Sequence, residues 1–102
     1  MRYRLVLNTY EEVSPAQRAS AEQRYRTALE SALGDASWVA PVYAAYRQLV
    51  NAYGDAPDLD LLTEHERLIV QTWQRAETAA VVAAFGENRY MGEARFEIEL
   101  EI

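Results

Sequence analysis

The stretch TEHERLIVQTWQRAETAAVVAAFG, residues 63–86, contains a complete set of helix signals. Thr63 and Glu66 have the spacing of a capping box at a helix start. Gly86 follows the last apolar residue, where a residue with positive φ commonly ends a helix. The expected buried stripe consists of Leu68, Ile69, Thr72, Trp73, Ala76, Ala80, Ala83 and Ala84. The stretch therefore predicts a long helix with one buried face.

Two further helices are predicted ahead of it. The first begins with a capping box at Ser14 and Gln17 and ends at Gly34. The second begins between Asp35 and Pro41, because proline fits only a first turn, and it ends at Gly54. The stripe of the first is Ala21, Tyr25, Ala28, Leu29, Ala32 and Leu33. The stripe of the second is Val39, Val42, Tyr43, Tyr46, Leu49, Val50 and Tyr53.

Both ends of the chain have the alternation of β-strands. Residues 2–10 place apolar and polar side chains on opposite sides, and from residue 90 every even position is apolar or small. Arg2 and Arg4 lie on the polar side of the first strand, and Glu97, Glu99 and Glu101 on that of the last. Opposite charges on paired strands are stabilising, so these two strands are predicted to pair. We therefore predict one α+β domain over the whole chain, a β-α-α-α-β two-layer arrangement of three helices on a small sheet of the N- and C-terminal strands.

The composition excludes several kinds of chemistry. The 102 residues include no Cys and no Lys, so thiol nucleophiles, disulfides, thiolate metal sites and Schiff-base lysines are excluded. The four glycines form no phosphate-binding motif. Ten Arg with no Lys, together with 17 Ala, suggest a GC-rich bacterial genome or its phage. The sequence contains no targeting signal or apolar run of membrane-spanning length, which predicts a cytoplasmic protein without a membrane partner.

A catalytic or metal role would have to involve His65, the only histidine. It lies among carboxylates and near Asp58 and Asp60, so it could bind a metal ion or act as a base. Acidic residues in the first turn of a helix also have a simpler explanation, the positive end of the helix dipole. We therefore predict no catalytic residue, no cofactor and no metal site.

One face of the first helix alternates in charge, through Arg18, Glu22, Arg26 and Glu30. Spacing of four residues is typical of a solvated, self-paired helix face. With a net charge of −6, direct binding of nucleic acid is not expected.

Aromatic residues provide a second candidate site. Tyr43, Tyr46 and Trp73 belong to faces that could line a ligand pocket or an interface, although core packing is the more common outcome for such rings.

Charge is distributed unevenly between the halves of the chain. Residues 1–51 carry a net charge of +1 and residues 52–102 a net charge of −7. The candidate contacts for a basic protein partner are Glu97, Glu99, Glu101, Asp58, Asp60 and Glu64. Regularly spaced outward glutamates could also mimic a nucleic-acid backbone, or they could simply protect a strand edge.

Three functions remain open from the sequence. The first is a non-catalytic protein-interaction module of immunity, antitoxin, phage accessory or inhibitor type. The second is an acidic nucleic-acid mimic that inhibits a nucleic-acid-binding enzyme. The third is a small ligand-binding or enzymatic domain that uses the tyrosine-rich helix face. We also predict a homodimer, because a two-stranded ribbon leaves open edges, with the contact at the first strand or at Tyr43 and Tyr46.

Overall fold

A computed structural model describes residues 2–9, 13–54, 58–86 and 92–99, with the backbone alone for 2, 9 and 92–99. The order of the main elements is β1 (Arg2–Thr9), α1 (Pro15–Leu33), α2 (Val39–Tyr53), α3 (Glu64–Phe85) and β2 (Gly92–Glu99). Two short 3-10 helices, Ala36–Trp38 and Leu59–Leu61, precede α2 and α3. The three predicted helices are confirmed.

The predicted helix ends are also confirmed. At the start of α1, Gln17 N–H donates to Ser14 Oγ over 3.1 Å, and Ser14 N–H donates to Gln17 Oε1 over 2.9 Å. At the start of α3, Glu66 N–H donates to Thr63 Oγ1 over 3.2 Å, and Thr63 N–H donates to Glu66 Oε1 over 2.9 Å. The helices are followed by glycines with positive φ, namely Gly34, Gly54 and Gly86. Local side-chain chemistry therefore sets the boundaries of these helices.

Helix–helix packing between α1 and α3 forms most of the core. Tyr25 and Leu29 of α1 are fully buried in one cluster with Trp73 of α3. Small side chains at Ala76 and Ala80, one helical turn apart, let the two helices approach closely. The core side chains of β1, Leu5 and Leu7, join the same cluster.

The two strands form an antiparallel ribbon. The backbone register places Arg2 opposite Glu99, Arg4 opposite Glu97, and Thr9 opposite Gly92. Residues directly opposite each other in such a pair share one face of the ribbon.

The predicted two-layer α+β domain is wrong. The side chains of β2 are not described, so the residues with described side chains include one short strand, β1. Of these residues 81% are helical, and they contain no sheet on which the helices could form a layer. The reason lies in how the described core is packed. Among the described side chains of β1, Leu5 and Leu7 are buried, whereas most of the buried side chains belong to the three helices, which pack mainly on one another. The described part is a mainly helical assembly with a narrow ribbon at its side.

Three members of the predicted stripes are exposed instead of buried: Ala32, Tyr53 and Leu68. Leu68 is the most informative, because 60% of it is exposed whereas Val70, which we did not place on the stripe, is buried. At about 100° per residue, Leu68 points roughly 140° away from Trp73, whereas Val70 points roughly 60° away. The buried face of α3 is therefore centred on Trp73, and Leu68 lies on the outer face.

Candidate functional site

The structure brings together Tyr43, Tyr46 and Trp73, the three aromatic residues singled out in the sequence. The ring centroids of Tyr43 and Trp73 are 5.1 Å apart, and those of Tyr46 and Trp73 are 6.0 Å apart. Trp73 is 0% exposed, and its indole Nε1 donates to Glu77 Oε2 over 3.1 Å. The rings contact one another directly, and the indole N–H is satisfied at the edge of the cluster. This arrangement supports the folded state.

Tyr3 forms a contact that the sequence did not predict. Its hydroxyl donates to Glu30 Oε1 over 2.6 Å, and the guanidinium carbon of Arg26 lies 5.4 Å from the centre of its ring. Arg26 also forms an ion pair with Glu22 at 3.6 Å, as predicted for this face of α1. The charged face of α1 therefore does more than pair with itself, because Arg26 and Glu30 also contact Tyr3 of β1. No local spacing could indicate this contact, since Tyr3 and Glu30 are 27 positions apart.

Two tyrosines have raised pKa values. Burial, the hydrogen bond to Glu30 and the negative charge of Glu30 all raise the pKa of Tyr3 well above its usual range, and the nearby charge of Arg26 lowers it only in part. Burial, followed by the negative charge of Glu77, raises the pKa of Tyr25 well above its usual range. Both phenols are therefore protonated at neutral pH, which fits structural roles.

Arg24 connects α1 to the end of α3. Its Nε donates to the carbonyl of Ala83 and its Nη2 to that of Ala84, both over 3.0 Å, while Nη1 donates to Ser20 Oγ over 2.6 Å. The last carbonyls of a helix have no partner within the helix, and a cation is favourable at this end of its dipole. Arg24 therefore caps α3 from a neighbouring helix.

A cavity of about 490 Å³ lies beside this cap, between the start of α1 and the end of α3. Arg18 and Arg24 contribute charge to its lining, and Val82 and Phe85 contribute apolar surface. Arg24 and the carbonyls of Ala83 and Ala84, three of its polar lining groups, are hydrogen-bonded to one another.

Acidic residues and exposed leucines lie close together in the sequence around the start of α3. Asp58 Oδ1 accepts from the backbone N–H of Asp60 over 3.0 Å, so the aspartate fixes the short 3-10 helix Leu59–Leu61. Within this segment Leu61 is 69% exposed. Asp60, Glu64 and Leu68 are also exposed. We call the set Asp58, Asp60, Leu61, Glu64 and Leu68 the acidic leucine face.

The second predicted acidic group lies on a separate element. The backbone of β2 carries Glu97 and Glu99, which are opposite Arg4 and Arg2, and Glu101 lies outside the described residues. Each of the two described positions therefore has an arginine position across the ribbon.

The outer face of α3 continues the acidic leucine face. A shallow groove runs along it, with Leu59 on one side and Gln71, Arg75, Ala79 and Val82 on the helix. Gln71 also lines a second groove with Glu64 and Leu68, so the two grooves are continuous along the helix. This surface was not predicted from the sequence, because Leu68 has the spacing of a buried stripe residue and Leu59 reaches α3 from the preceding 3-10 helix.

His65 is exposed on the first turn of α3. Within the described ranges, no group of three or more His, Asp or Glu side chains is arranged to hold a metal ion. None of the described helices combines the length and the apolar character that crossing a membrane requires.

Comparison with known proteins gives no relative: no family model matches the chain, and neither a curated protein nor a solved structure is significantly similar to it.

Proposed function

We propose that this chain acts by binding another protein, as a non-catalytic interaction module of immunity, antitoxin, phage accessory or inhibitor type, in the cytoplasm of a bacterium or a phage-infected cell. The exposure of Leu61 (69%) and Leu68 (60%) beside carboxylates is the observation that carries this proposal. Large apolar side chains bordered by polar groups are typical of protein–protein interfaces.

The charge of the acidic leucine face defines the chemistry of its partner. Three of its five members, Asp58, Asp60 and Glu64, are carboxylates, and they belong to the half of the chain whose net charge is −7. A matching surface would present apolar side chains bordered by Arg or Lys. Charge complementarity of this kind accelerates association and weakens as salt screens it.

The two alternative functions have less structural support. A nucleic-acid mimic needs an uninterrupted row of carboxylates, whereas Glu97 and Glu99 are opposite Arg4 and Arg2 across the ribbon. A ligand-binding aromatic face needs space between its rings, and the rings at positions 43, 46 and 73 pack on one another.

The decisive experiment is a cross-linking pull-down from the native host, followed by mass spectrometry, with wild-type protein and three variants. Replacing Leu61 and Leu68 by Ser should abolish capture of the partner. The matched control replaces Trp38 and Tyr53, which are exposed apolar residues outside the face, by Ser and should leave capture unchanged. Equal capture by wild type and by the leucine variant would contradict the proposed face.

A third variant tests the alternative that the chain is a nucleic-acid mimic. Replacing Glu97 and Glu99 by Arg should leave capture of the partner nearly unchanged if the acidic leucine face is the contact. Loss of capture in this variant alone, together with strong salt dependence, would favour the nucleic-acid mimic.

A further inference from the structure

Six exposed residues of α3 recur at alternating spacings of four and three. They are Glu64, Leu68, Gln71, Arg75, Thr78 and Val82, and we call them the α3 seam. Alternation of four and three places side chains on a narrow stripe that follows a neighbouring helix. This stripe lies on the side of α3 away from the buried face centred on Trp73, and all six of its side chains are exposed.

The charges of the α3 seam are complementary to each other only in one orientation. Glu64 lies at one end and Arg75 lies eleven positions later, about 16 Å along the helix axis. Two parallel copies in register would place Glu64 opposite Glu64 and Arg75 opposite Arg75, which is unfavourable. Two antiparallel copies can place each Glu64 opposite the Arg75 of the other copy. A two-fold contact requires a surface that is complementary to itself in this way.

We propose that a second copy of this chain binds the α3 seam, with the two α3 helices antiparallel and Glu64 of each copy opposite Arg75 of the other. This inference rests on the proposed function, because Glu64 and Leu68 also belong to the acidic leucine face. In this antiparallel register, the surface that complements Glu64 and Leu68 is the part of the chain's own α3 that carries Gln71 and Arg75.

The register that joins these charges also places the apolar residues favourably. The two-fold axis passes midway between Leu68 and Gln71, so Leu68 lies opposite Gln71 of the second copy. The two Leu68 side chains are then offset by only about 4.5 Å along the axis. Each leucine, 60% exposed in the single chain, becomes covered at the centre of the contact. The two leucines would form the apolar centre of the contact and the two ion pairs its polar rim, which is the usual composition of a protein–protein interface.

This contact differs from the two that the sequence suggested for a homodimer. Tyr43 and Tyr46 of α2 pack on Trp73 within the chain, so these two rings already have a partner in the monomer. The first strand presents Arg4 on its exposed side, and a two-fold contact there would bring like charges together.

Charge exchange tests the register. Analytical ultracentrifugation of the wild type, from low to high micromolar concentration, should give a mass near twice 11.6 kDa that falls to 11.6 kDa on dilution. Glu64→Arg alone and Arg75→Glu alone should each weaken the dimer about tenfold, because each creates two like-charge contacts. The double variant Glu64→Arg/Arg75→Glu should restore wild-type affinity.

Matched controls and opposing outcomes make the test decisive. Glu22→Arg and Arg47→Glu, reversals on α1 and α2, should leave the dimer unchanged, and circular dichroism verifies that every variant is folded. A mass of 11.6 kDa at all concentrations overturns the inference. A dimer whose affinity is unchanged by Glu64→Arg, or is not restored by the double variant, overturns it as well. A monomer that still captures a host protein through Leu61 and Leu68 would overturn this inference while leaving the proposed function intact.

Discussion

Replacing Trp73 by Ala tests whether the aromatic cluster is the centre of the core. A tryptophan side chain buries about 150–250 Å², worth about 4–6 kcal/mol at 25 cal/mol per Å². Part of this area remains buried with alanine, so the expected loss is about 3–5 kcal/mol, as for other buried aromatic residues. Losing the hydrogen bond from Nε1 to Glu77 adds about 1 kcal/mol to this loss. The addition is small because the exposed carboxylate can bind water once the indole is removed.

The assay is urea unfolding monitored by far-ultraviolet circular dichroism. With a slope of about 1.5 kcal/mol per molar urea, a total loss of about 4–6 kcal/mol should lower the midpoint by roughly 3–4 M. Since domains of this size are stable by only about 5–15 kcal/mol, the variant should lose at least about a quarter of its stability.

The matched control is Trp38→Ala, the same substitution at a residue that is 57% exposed. Its cost should stay below about 1 kcal/mol. A loss below about 1 kcal/mol for Trp73→Ala, or equal losses in both variants, would refute the placement of Trp73 at the centre of the core.

Three other outcomes follow from single contacts. Because folding raises the pKa of Tyr3 and Tyr25, the unfolded chain loses these protons first as the pH rises, so stability should hold below about pH 10 and decline above it. Tyr3→Phe should cost about 1 kcal/mol at neutral pH and reduce that alkaline decline, and an unchanged decline in urea midpoints measured across this range would contradict the account. Arg24→Met should cost about 1–2 kcal/mol and speed hydrogen exchange near the end of α3, with Arg24→Lys restoring only part, because one ammonium cannot replace the guanidinium fork. His65→Ala should change stability by less than about 0.5 kcal/mol and leave partner capture intact, and loss of capture by a stable variant would assign His65 a functional role.

The acidic candidates show how far the sequence could predict the site. Composition and position were sufficient to select Asp58, Asp60 and Glu64, because charged groups around a short turn before a helix stay in water. The exposure of the neighbouring Leu68 was not predicted. Leu68 was placed on the buried stripe because it lies four positions before Thr72, and spacing alone does not show how far around the helix the buried face extends. The spacing of α3 fits both the face of Trp73 and the α3 seam.

The sequence by itself determined the helices and their ends. Ser14 with Gln17, and Thr63 with Glu66, are separated by three positions, so their capping bonds form within one turn whatever surrounds them. The glycines that follow the helices act in the same local way.

Only the tertiary structure decided how these elements share their apolar surface. The two-layer domain was wrong because the described helices pack mainly on one another, and the small side chains of Ala76 and Ala80 let α1 approach α3 closely. The contact of Tyr3 with Glu30 and that of Arg24 with the last carbonyls of α3 likewise join residues 27 and about 60 positions apart. The relative placement of such residues depends on how whole helices dock, which the spacing of residues along the chain does not specify.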